Sequence, residues 1–169
     1  MSKIEYFKTI LNCDFIAPDS FLEEPGVVMK INIDRAGCSS VIFKFDRQLD
    51  RAFRGGMFPF FNRGEAGVCR VCDYIIFSEK AGQLFALSIE LKTGNDSVNP
   101  QLEAGVCFSD YTLATVNRVY KKKYSITNRK ISIKEFNRKG KTKFKDVEYN
   151  EHNICEFSEK IFRIQAFLK

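Results

Sequence analysis

Two acidic residues and one lysine near the middle of the chain have the types and the spacing of a metal site. Asp73 stands near the start of one apolar stretch, and Glu90 and Lys92 end a second one. Side chains alternate between the two faces of an extended strand, so Glu90 and Lys92 share a face. Carboxylates that lie close together repel each other unless a cation separates them, and Mg²⁺ takes such oxygen ligands at phosphate chemistry. The pattern predicts magnesium-assisted chemistry at a phosphate, with Lys92 placed to hold or polarise a water.

The two apolar stretches predict the hairpin that must position these side chains. Residues 71–77 and 84–92 are largely apolar and strand-like, with a turn over 78–83. If residues 80–83 close the hairpin, Asp73 lies directly opposite Glu90, and directly opposed Cβ atoms are ~4.5–5.5 Å apart. Shifting the pairing by one residue would turn the apolar side chains of the second strand away from the core, so the pattern favours this register. The open alternative is an ordinary cross-strand pair on a solvated face, worth ~0.2–1 kcal/mol.

The remaining sequence predicts a mixed sheet flanked by helices. Asn99 is expected to be the N-cap of a helix that has Pro100 at its first position and ends near Arg118. The expected fold class is α/β (or α+β), with residues 1–169 as a single domain. The other expected elements are a helix over 3–16, strands over 27–33 and 40–45, a long loop over 51–67, β-like runs over 130–136 and 143–149 with a turn at Gly140, and a closing helix over 156–168.

Positive charge is concentrated in the basic C-terminal part of the chain, residues 118–169. This part holds 15 Lys or Arg against 6 Asp or Glu, whereas residues 1–117 hold 12 against 15. Such asymmetry suggests a polyanionic partner. Residues 120–124 and 136–144 interleave aromatic and basic residues, which suits phosphate contacts and base stacking, although a basic hairpin with inward-facing rings explains them equally well. The predicted nucleic-acid contacts are Lys121, Lys122, Lys123, Arg138, Lys139, Lys141 and Lys143.

The arrangement around the acids resembles a known family. An acid opens an apolar strand, a hairpin follows, and the second strand ends in Glu90-Leu91-Lys92 before a helix begins. Over about residues 65–118 this resembles the PD-(D/E)XK, or restriction-endonuclease-like, nuclease superfamily. The chain departs from the family pattern at Cys72, where a proline often precedes the acid.

The resemblance implies roles for individual residues. Asp73 and Glu90 would bind the metal, and the backbone carbonyl of Leu91 would add a third ligand. Lys92 would orient the attacking water and stabilise charge on the phosphate. The family often has another acid upstream, for which Glu65 is the candidate ahead of Glu5, Glu23 and Glu24.

By resemblance, the chain is expected to be a magnesium-dependent phosphodiesterase with a restriction-endonuclease-like fold, and Mn²⁺ should replace Mg²⁺. The leading form is an endonuclease or nickase acting on DNA, in repair, restriction, mobile-element movement or antiphage defence. Cleavage of RNA stays open. An alternative of another class is a non-catalytic module that keeps the nuclease fold for nucleic-acid binding or assembly, but such a module has no physical need for opposed carboxylates.

Other features narrow the setting. No apolar run approaches the ~20 residues of a membrane-spanning helix, and the N-terminus lacks the apolar core of a signal peptide, so a cytoplasmic protein without a membrane partner is expected. In that reducing compartment the six cysteines should be free thiols. Cys69 and Cys72 have zinc-ligand spacing, but a second close pair is missing, and His152 is the only histidine. A protein partner or a homodimer could supply targeting to so short a chain.

Overall fold

A computed structural model describes residues 2–17, 20–23, 29–46, 61–62, 64–92, 97–134 and 147–169 of the chain. These residues form a mixed α/β fold with two β-sheets and two α-helices, which confirms the expected class. The helices are α1 (Ile4–Ile10) and α2 (Asn99–Tyr120). The strands are β1 (Phe21–Glu23), β2 (Lys30–Asp34), β3 (Ser39–Lys44), β4 (Tyr74–Lys80), β5 (Gln83–Lys92), β6 (Ile126–Lys134), β7 (Ile154–Phe157) and β8 (Ile161–Arg163), and 3-10 turns cover Cys13–Phe15 and Ile164–Phe167.

The larger sheet has the strand order β3-β4-β5-β6-β7. β3, β4 and β5 are antiparallel neighbours, whereas β5, β6 and β7 run parallel. Parallel neighbours need a crossover, and α2 provides it between β5 and β6. The sheet therefore has an exit end, where β5 and β6 finish and α2 begins, and a turn end, where the β4–β5 hairpin closes and α2 finishes.

The β4–β5 hairpin has the predicted register. Its ladder runs between two end pairs, Tyr74 with Ile89 and Lys80 with Gln83. The turn is tighter than the expected span of residues 78–83, because only Ala81 and Gly82 lie outside the strands. Their φ angles are 48° and 78°, and positive φ at both central residues matches the twist of the flanking strands. Continuing the same register by one residue places Asp73 across from Glu90.

Both faces of the larger sheet are covered. Ile89 and Leu91 lie on the face that packs against the smaller sheet, whose strand order is β1-β2-β8. Ile75 and Ala86 lie on the opposite face, which packs against α1 and α2. Glu90 alternates with Ile89 and Leu91, so it belongs to the helix-covered face. The face of the sheet that carries Glu90 is therefore the face that packs against the helices.

Helix α2 approaches β5 closely because a glycine stands at the contact. A Cβ added at Gly105 would lie 2.6 Å from Ser88 Oγ and 2.7 Å from Cys72 Sγ. Any side chain larger than hydrogen would push the helix away from the sheet. The first third of α2 is thus held directly over the strand segment that leads to Glu90.

Helix α2 begins at Asn99, one residue before the predicted first position at Pro100, so the predicted cap is wrong. Val98 occupies the N-cap position without a side-chain cap. The Asn99 side chain is used elsewhere, because its Oδ1 accepts a hydrogen bond from Lys130 Nζ at 3.2 Å. The helix continues to Tyr120, two residues past the expected end. Neither α2 nor the shorter helix in the described part of the chain is long and apolar enough to cross a membrane.

The predicted closing helix over residues 156–168 is wrong, because β7, β8 and a 3-10 turn occupy that stretch. Cys155 and Phe157 are buried on either side of the exposed Glu156, which is the alternation of a strand. A helix over this stretch would place Ile161 on the same apolar side as Phe157 and Ile164, but Ile161 is 40% exposed. Short apolar runs fit both the helical and the strand period, and here packing between the sheets decided the outcome.

The other sequence expectations are confirmed in part. The expected helix over 3–16 is shorter, because α1 ends at Ile10 and a 3-10 turn follows. The strands expected over 27–33, 40–45 and 130–136 exist as β2, β3 and β6 with shifted limits. Residues 147–149 form no strand. Residues 64–67 of the loop expected over 51–67 form turns and a bend, without helix or strand. The rest of that loop apart from residues 61–62, the turn at Gly140 and most of the run over 143–149 lie outside the described residues.

Candidate active site

Backbone amides tie Asp73 and Glu90 together at the exit end of the sheet. Asp73 Oδ2 accepts a hydrogen bond from the Leu91 N–H at 2.6 Å. Glu90 Oε2 accepts one from the Asp73 N–H at 3.3 Å. Each carboxylate therefore reaches across to the other strand, and both side chains are half-buried. The two acids are neighbours where β4 begins and β5 nears its end.

The backbone of Leu91 offers a further oxygen at this point. The N–H and C=O of one residue point to the same side of an extended strand. Since the Leu91 N–H points to Asp73, its carbonyl lies on that side too, beyond the last ladder pair of Tyr74 with Ile89. Mg²⁺ is usually held by one or two carboxylates, with waters and substrate phosphates completing its coordination. Two carboxylates and one carbonyl fit that requirement.

The side chains around Asp73 and Glu90 differ from those of a structural metal site, in which protein ligands fill every coordination position. Within the described ranges, no group of three or more His, Cys, Asp or Glu side chains could hold a metal ion. Structural zinc requires about four such ligands, so the pair of acids suits an open Mg²⁺ site better. The six cysteines are free, as expected, and the two members of the possible zinc pair are separated by burial, with Cys69 exposed and Cys72 buried.

Cys72 lies beneath the two carboxylates. Its side chain is fully buried, and its Sγ donates a hydrogen bond to the Tyr74 carbonyl at 3.4 Å. Burial raises the pKa of the Cys72 thiol well above its ordinary value, and the nearby charges of Glu90 and, to a smaller extent, Asp73 raise it further. The thiol therefore stays neutral at physiological pH. It packs under α2 and adds no third negative charge to the acids.

Glu90 belongs to a line of polar side chains that crosses four strands. Ser132 of β6 lies beside Glu90, and Glu156 of β7 lies beside Ser132. Residues in register on parallel strands share a face, so Asp73, Glu90, Ser132 and Glu156 form one line on the α2 side of the sheet. We name this line the polar row. Ser132 is 2% exposed, and in the described part of the chain its hydroxyl has no hydrogen-bond partner.

Two lysines stand in register next to the polar row, toward the exit end. Lys92 is the last residue of β5 and pairs with Lys134, the last residue of β6. Neighbouring strands are ~4.8 Å apart, so the two side chains leave the sheet side by side. Lys134 Nζ lies 2.7 Å from Glu156 Oε2. Lys92 is half-buried and shares a face with Glu90, which suits its predicted role at a group bound by the acids.

The start of α2 adds further polar groups. Lys130 of β6 donates a hydrogen bond to Glu103 Oε1 at 2.7 Å. Glu103 is exposed and bound in this ion pair, as an ordinary helix-surface residue would be. Gln101 differs, because its Oε1 is buried and has no hydrogen-bond partner among the described residues. Of these two α2 residues, Gln101 is the one whose buried side-chain oxygen accepts no hydrogen bond from the described residues.

Glu65, the predicted upstream acid, lies on an exposed segment of turns. Its described hydrogen bond is made by its backbone, whose N–H donates to the Asn62 carbonyl at 3.1 Å. Nothing in this bonding ties its carboxylate to the acids of the polar row. Of the predicted catalytic residues, the structure therefore brings together Asp73, Glu90 and Lys92 on one hairpin.

The basic residues Lys121–Lys123 lie at the turn end, away from the acids. Lys3 donates a hydrogen bond to the Gly82 carbonyl in the hairpin turn, and its Nζ lies 5.2 Å from the centre of the Tyr124 ring. Gly82 lies in the turn just before β5, eight residues from Glu90, which corresponds to ~27 Å of extended chain. The stretch that follows α2 is therefore separated from the acids by most of the sheet.

The rings next to these lysines pack on one another. The ring centres of Tyr6 and Tyr120 are 4.6 Å apart, and Tyr124 packs on Tyr6 at 6.2 Å. Lys122 Nζ lies 5.4 Å from the centre of the Tyr6 ring. The turn end therefore has a group of tyrosines and lysines in mutual contact. The other predicted contacts, Arg138, Lys139, Lys141 and Lys143, lie outside the described residues.

The sequence pattern did not indicate that β6 and β7 take part. Ser132 and Lys134 reach the acids through parallel pairing across the α2 crossover, and Glu156 does so through the parallel pairing of β7 with β6. A signal did exist in residues 130–134, where polar and apolar residues alternate as on a strand with two different faces. That alternation predicts a strand, but the neighbours of the strand cannot be known without the order of strands in the sheet.

Comparisons of the chain with protein-family models, with curated proteins and with solved structures find no match. The resemblance to the PD-(D/E)XK superfamily therefore stays a prediction from the sequence motif.

Proposed function

We propose that this chain is a magnesium-dependent nuclease that hydrolyses phosphodiester bonds, most directly those of DNA. The observation that carries the proposal is the pair of half-buried carboxylates, Asp73 and Glu90, which reach across one hairpin with Lys92 two residues further on the same face. Half-burying two carboxylates on neighbouring strands costs solvation free energy, which a cation bound between them would offset. A structural role alone would be served better by apolar residues.

Each residue has a distinct task in this proposal. Asp73, Glu90 and the Leu91 carbonyl would hold Mg²⁺, which Mn²⁺ would replace. When bound, the ion would supply charge neutralisation at the scissile phosphate and lower the pKa of a water. Lys92 brings a positive charge to the phosphate as negative charge develops there. Its half-buried position makes that charge count for more than it would in bulk water.

Two features support a nucleic acid as the substrate. The basic C-terminal part supplies the charge excess that a polyanion requires, and two of its lysines, Lys130 and Lys134, rise from the strand beside the acids. A nucleic acid must also approach from the exit end to bring a phosphate close to the acids, and the exposed Lys134 lies at that end. DNA is preferred over RNA on the strength of the resemblance, and assembly with a protein partner or a second copy would add targeting.

The test is incubation of the purified chain with supercoiled plasmid, linear duplex DNA and RNA, each with Mg²⁺, with Mn²⁺ and with chelator. Cleavage of DNA that requires either cation and stops with chelator is expected. Cleavage of RNA alone would change the substrate but keep the chemistry. If nothing is cut while DNA is still bound, the chain is a non-catalytic binding module and the proposal is wrong.

A further inference from the structure

A second lysine stands beside Lys92, on a strand that the motif does not include. Lys134 ends β6 in register with Lys92 at the end of β5. Both side chains lie on the face of the polar row, because parallel neighbours in register share a face. Two ammonium groups on strands ~4.8 Å apart repel each other. Negative charge close to the pair relieves this repulsion, whether it comes from the carboxylates of the protein or from a bound anion.

Lys134 forms a weak ion pair in the described structure. Its partner is Glu156, with Nζ to Oε2 at 2.7 Å, and the two side chains are 45% and 57% exposed. An exposed ion pair of this kind contributes little to stability and exchanges readily with other ions. A phosphate oxygen, held at the same time by other groups of the site, can therefore displace the Glu156 carboxylate.

We propose that Lys134 is a second phosphate contact, which binds the phosphodiester next to the scissile one. Lys134 lies one strand further from Asp73 than Lys92 does, so it reaches the neighbouring phosphate of the same nucleic-acid strand. Glu156 neutralises Lys134 in the free protein and competes with the substrate for it. The inference rests on the proposed function, because the position of the scissile phosphate is set by the acids.

Binding is measured first, with a duplex DNA of about 20 base pairs across a salt series, in Ca²⁺ to prevent turnover. Each phosphate contact on duplex DNA contributes about −0.9 to the slope of log K against log salt concentration. Lys134→Gln should lower the magnitude of the slope by about 0.9 and weaken binding roughly five- to tenfold. Lys134→Arg should keep both values near those of the parent.

Two further variants separate this contact from a general effect of charge. Lys8→Gln removes a lysine that also forms an exposed ion pair, with Glu5 at 2.8 Å on α1, and should leave slope and affinity unchanged. Glu156→Gln should keep the slope and tighten binding, because it removes the competing carboxylate. Melting temperatures of all four variants should stay close to that of the parent, since the side chains are exposed.

Cleavage with Mg²⁺ then separates this inference from the proposed function. Lys134→Gln should raise KM with kcat within about twofold of the parent, as loss of uniform binding does. A parent that cuts, beside a Lys134→Gln variant with the parent's KM and salt slope, would overturn the second contact and leave the nuclease intact. A parent that binds but never cuts would refute the nuclease, while the salt slope would still decide whether Lys134 contacts a phosphate.

Discussion

The two ends of the larger sheet use lysine in different ways. At the exit end, Lys92 and Lys134 lie next to the polar row with its three carboxylates, and Lys134 forms an ion pair with Glu156. At the turn end, Lys3 and Lys122 lie over tyrosine rings, and Lys121 and Lys123 are exposed. Opposed charges in contact can hold a cation and a phosphate together. Lysines over rings can attract a polyanion, and the carboxylate next to them, Glu79, accepts hydrogen bonds from Ser2 Oγ and from the Lys3 N–H.

The difference separates chemistry from attraction. The exit end brings together Asp73 and Glu90, the two half-buried acids that would hold a divalent cation, so cleavage should depend on that end. The turn end is ~27 Å away along β5, which is about eight base pairs at ~3.4 Å per base pair. It can therefore help to hold a duplex that extends past the site, and it should have no influence on the reacting phosphate.

Substitutions at the two ends should differ most in their effect on the cleavage rate when the acids of the exit end are removed. Asp73→Ala and Glu90→Ala should each reduce cleavage by on the order of 10³-fold or more, because loss of one charge-stabilising group already costs ~10²–10³-fold. A triple variant with Lys121, Lys122 and Lys123 changed to Gln should keep the parent's kcat. Cleavage rates on saturating plasmid measure both. Equal activity of either acid variant and the parent would remove the site assignment.

Loss of Lys92 should have the next largest effect. Lys92→Ala is expected to lower kcat ~10²-fold, because the charge it supplies matters most when negative charge develops on the phosphate. The Mg²⁺ concentration that gives half-maximal rate should change little, since Lys92 is not a ligand. Lys121→Ala is the matched control at the turn end and should change neither value. A strong loss of metal affinity in Lys92→Ala would contradict its role.

Duplex length should reveal what the turn end contributes. The triple variant of Lys121–Lys123 should bind a 30-base-pair duplex about tenfold more weakly than the parent, and the salt slope should flatten by up to ~0.9 for each lost contact. Binding of an eight-base-pair duplex should be almost unchanged, because it does not span the sheet. Equal weakening for both lengths would mean that these lysines lie on the path of the scissile strand.

The basic residues that lie outside the described part are tested in the same way. Changing Lys139, Lys141 and Lys143 together to Gln should flatten the salt slope for the long duplex. If the parent itself shows a flat salt response, the basic C-terminal part has no role in binding.

A smaller effect is expected where α2 meets the sheet. Alanine normally stabilises a helix relative to glycine by about 1 kcal/mol, but the Cβ added by Gly105→Ala would meet Ser88 Oγ at 2.6 Å and Cys72 Sγ at 2.7 Å. The variant should therefore be less stable by about 1–3 kcal/mol, which lowers the melting temperature by several degrees. Adding Ser88→Gly should restore part of the loss. A Gly105→Ala variant more stable than the parent would show that α2 is not held this closely.

The sequence predicted the acid pair because that pair depends on local pairing. A hairpin brings Asp73 and Glu90 together through the alternation of apolar residues and one short turn, and both are visible over 20 residues of sequence. The turn was still predicted too wide, since a positive φ at Ala81 is not indicated by an alanine.

The rest of the site depends on pairings that a local pattern does not contain. Ser132 and Glu156 join the row through parallel strands separated by a crossover and by about twenty residues, and the segment containing β7 fitted a helix equally well. The position of Lys121–Lys123 was missed for the same kind of reason. Their place in space is set by the length of α2, whose 22 residues carry the chain to the other end of the sheet.

The central claim is that Asp73 and Glu90 hold one divalent cation, and a thermal melt across a Mg²⁺ titration tests it most directly. A ligand that binds only the folded state adds about 2.7 kcal/mol at a hundredfold excess over Kd, which should raise the melting temperature of the parent by roughly 5–10 °C. Glu90→Gln should lose most of that rise, and without metal it should be at least as stable as the parent. Glu79→Gln, which changes a glutamate at the turn end of the same hairpin, should keep the full rise. An equal rise in the parent and in Glu90→Gln would show that the cation binds elsewhere and would contradict the account.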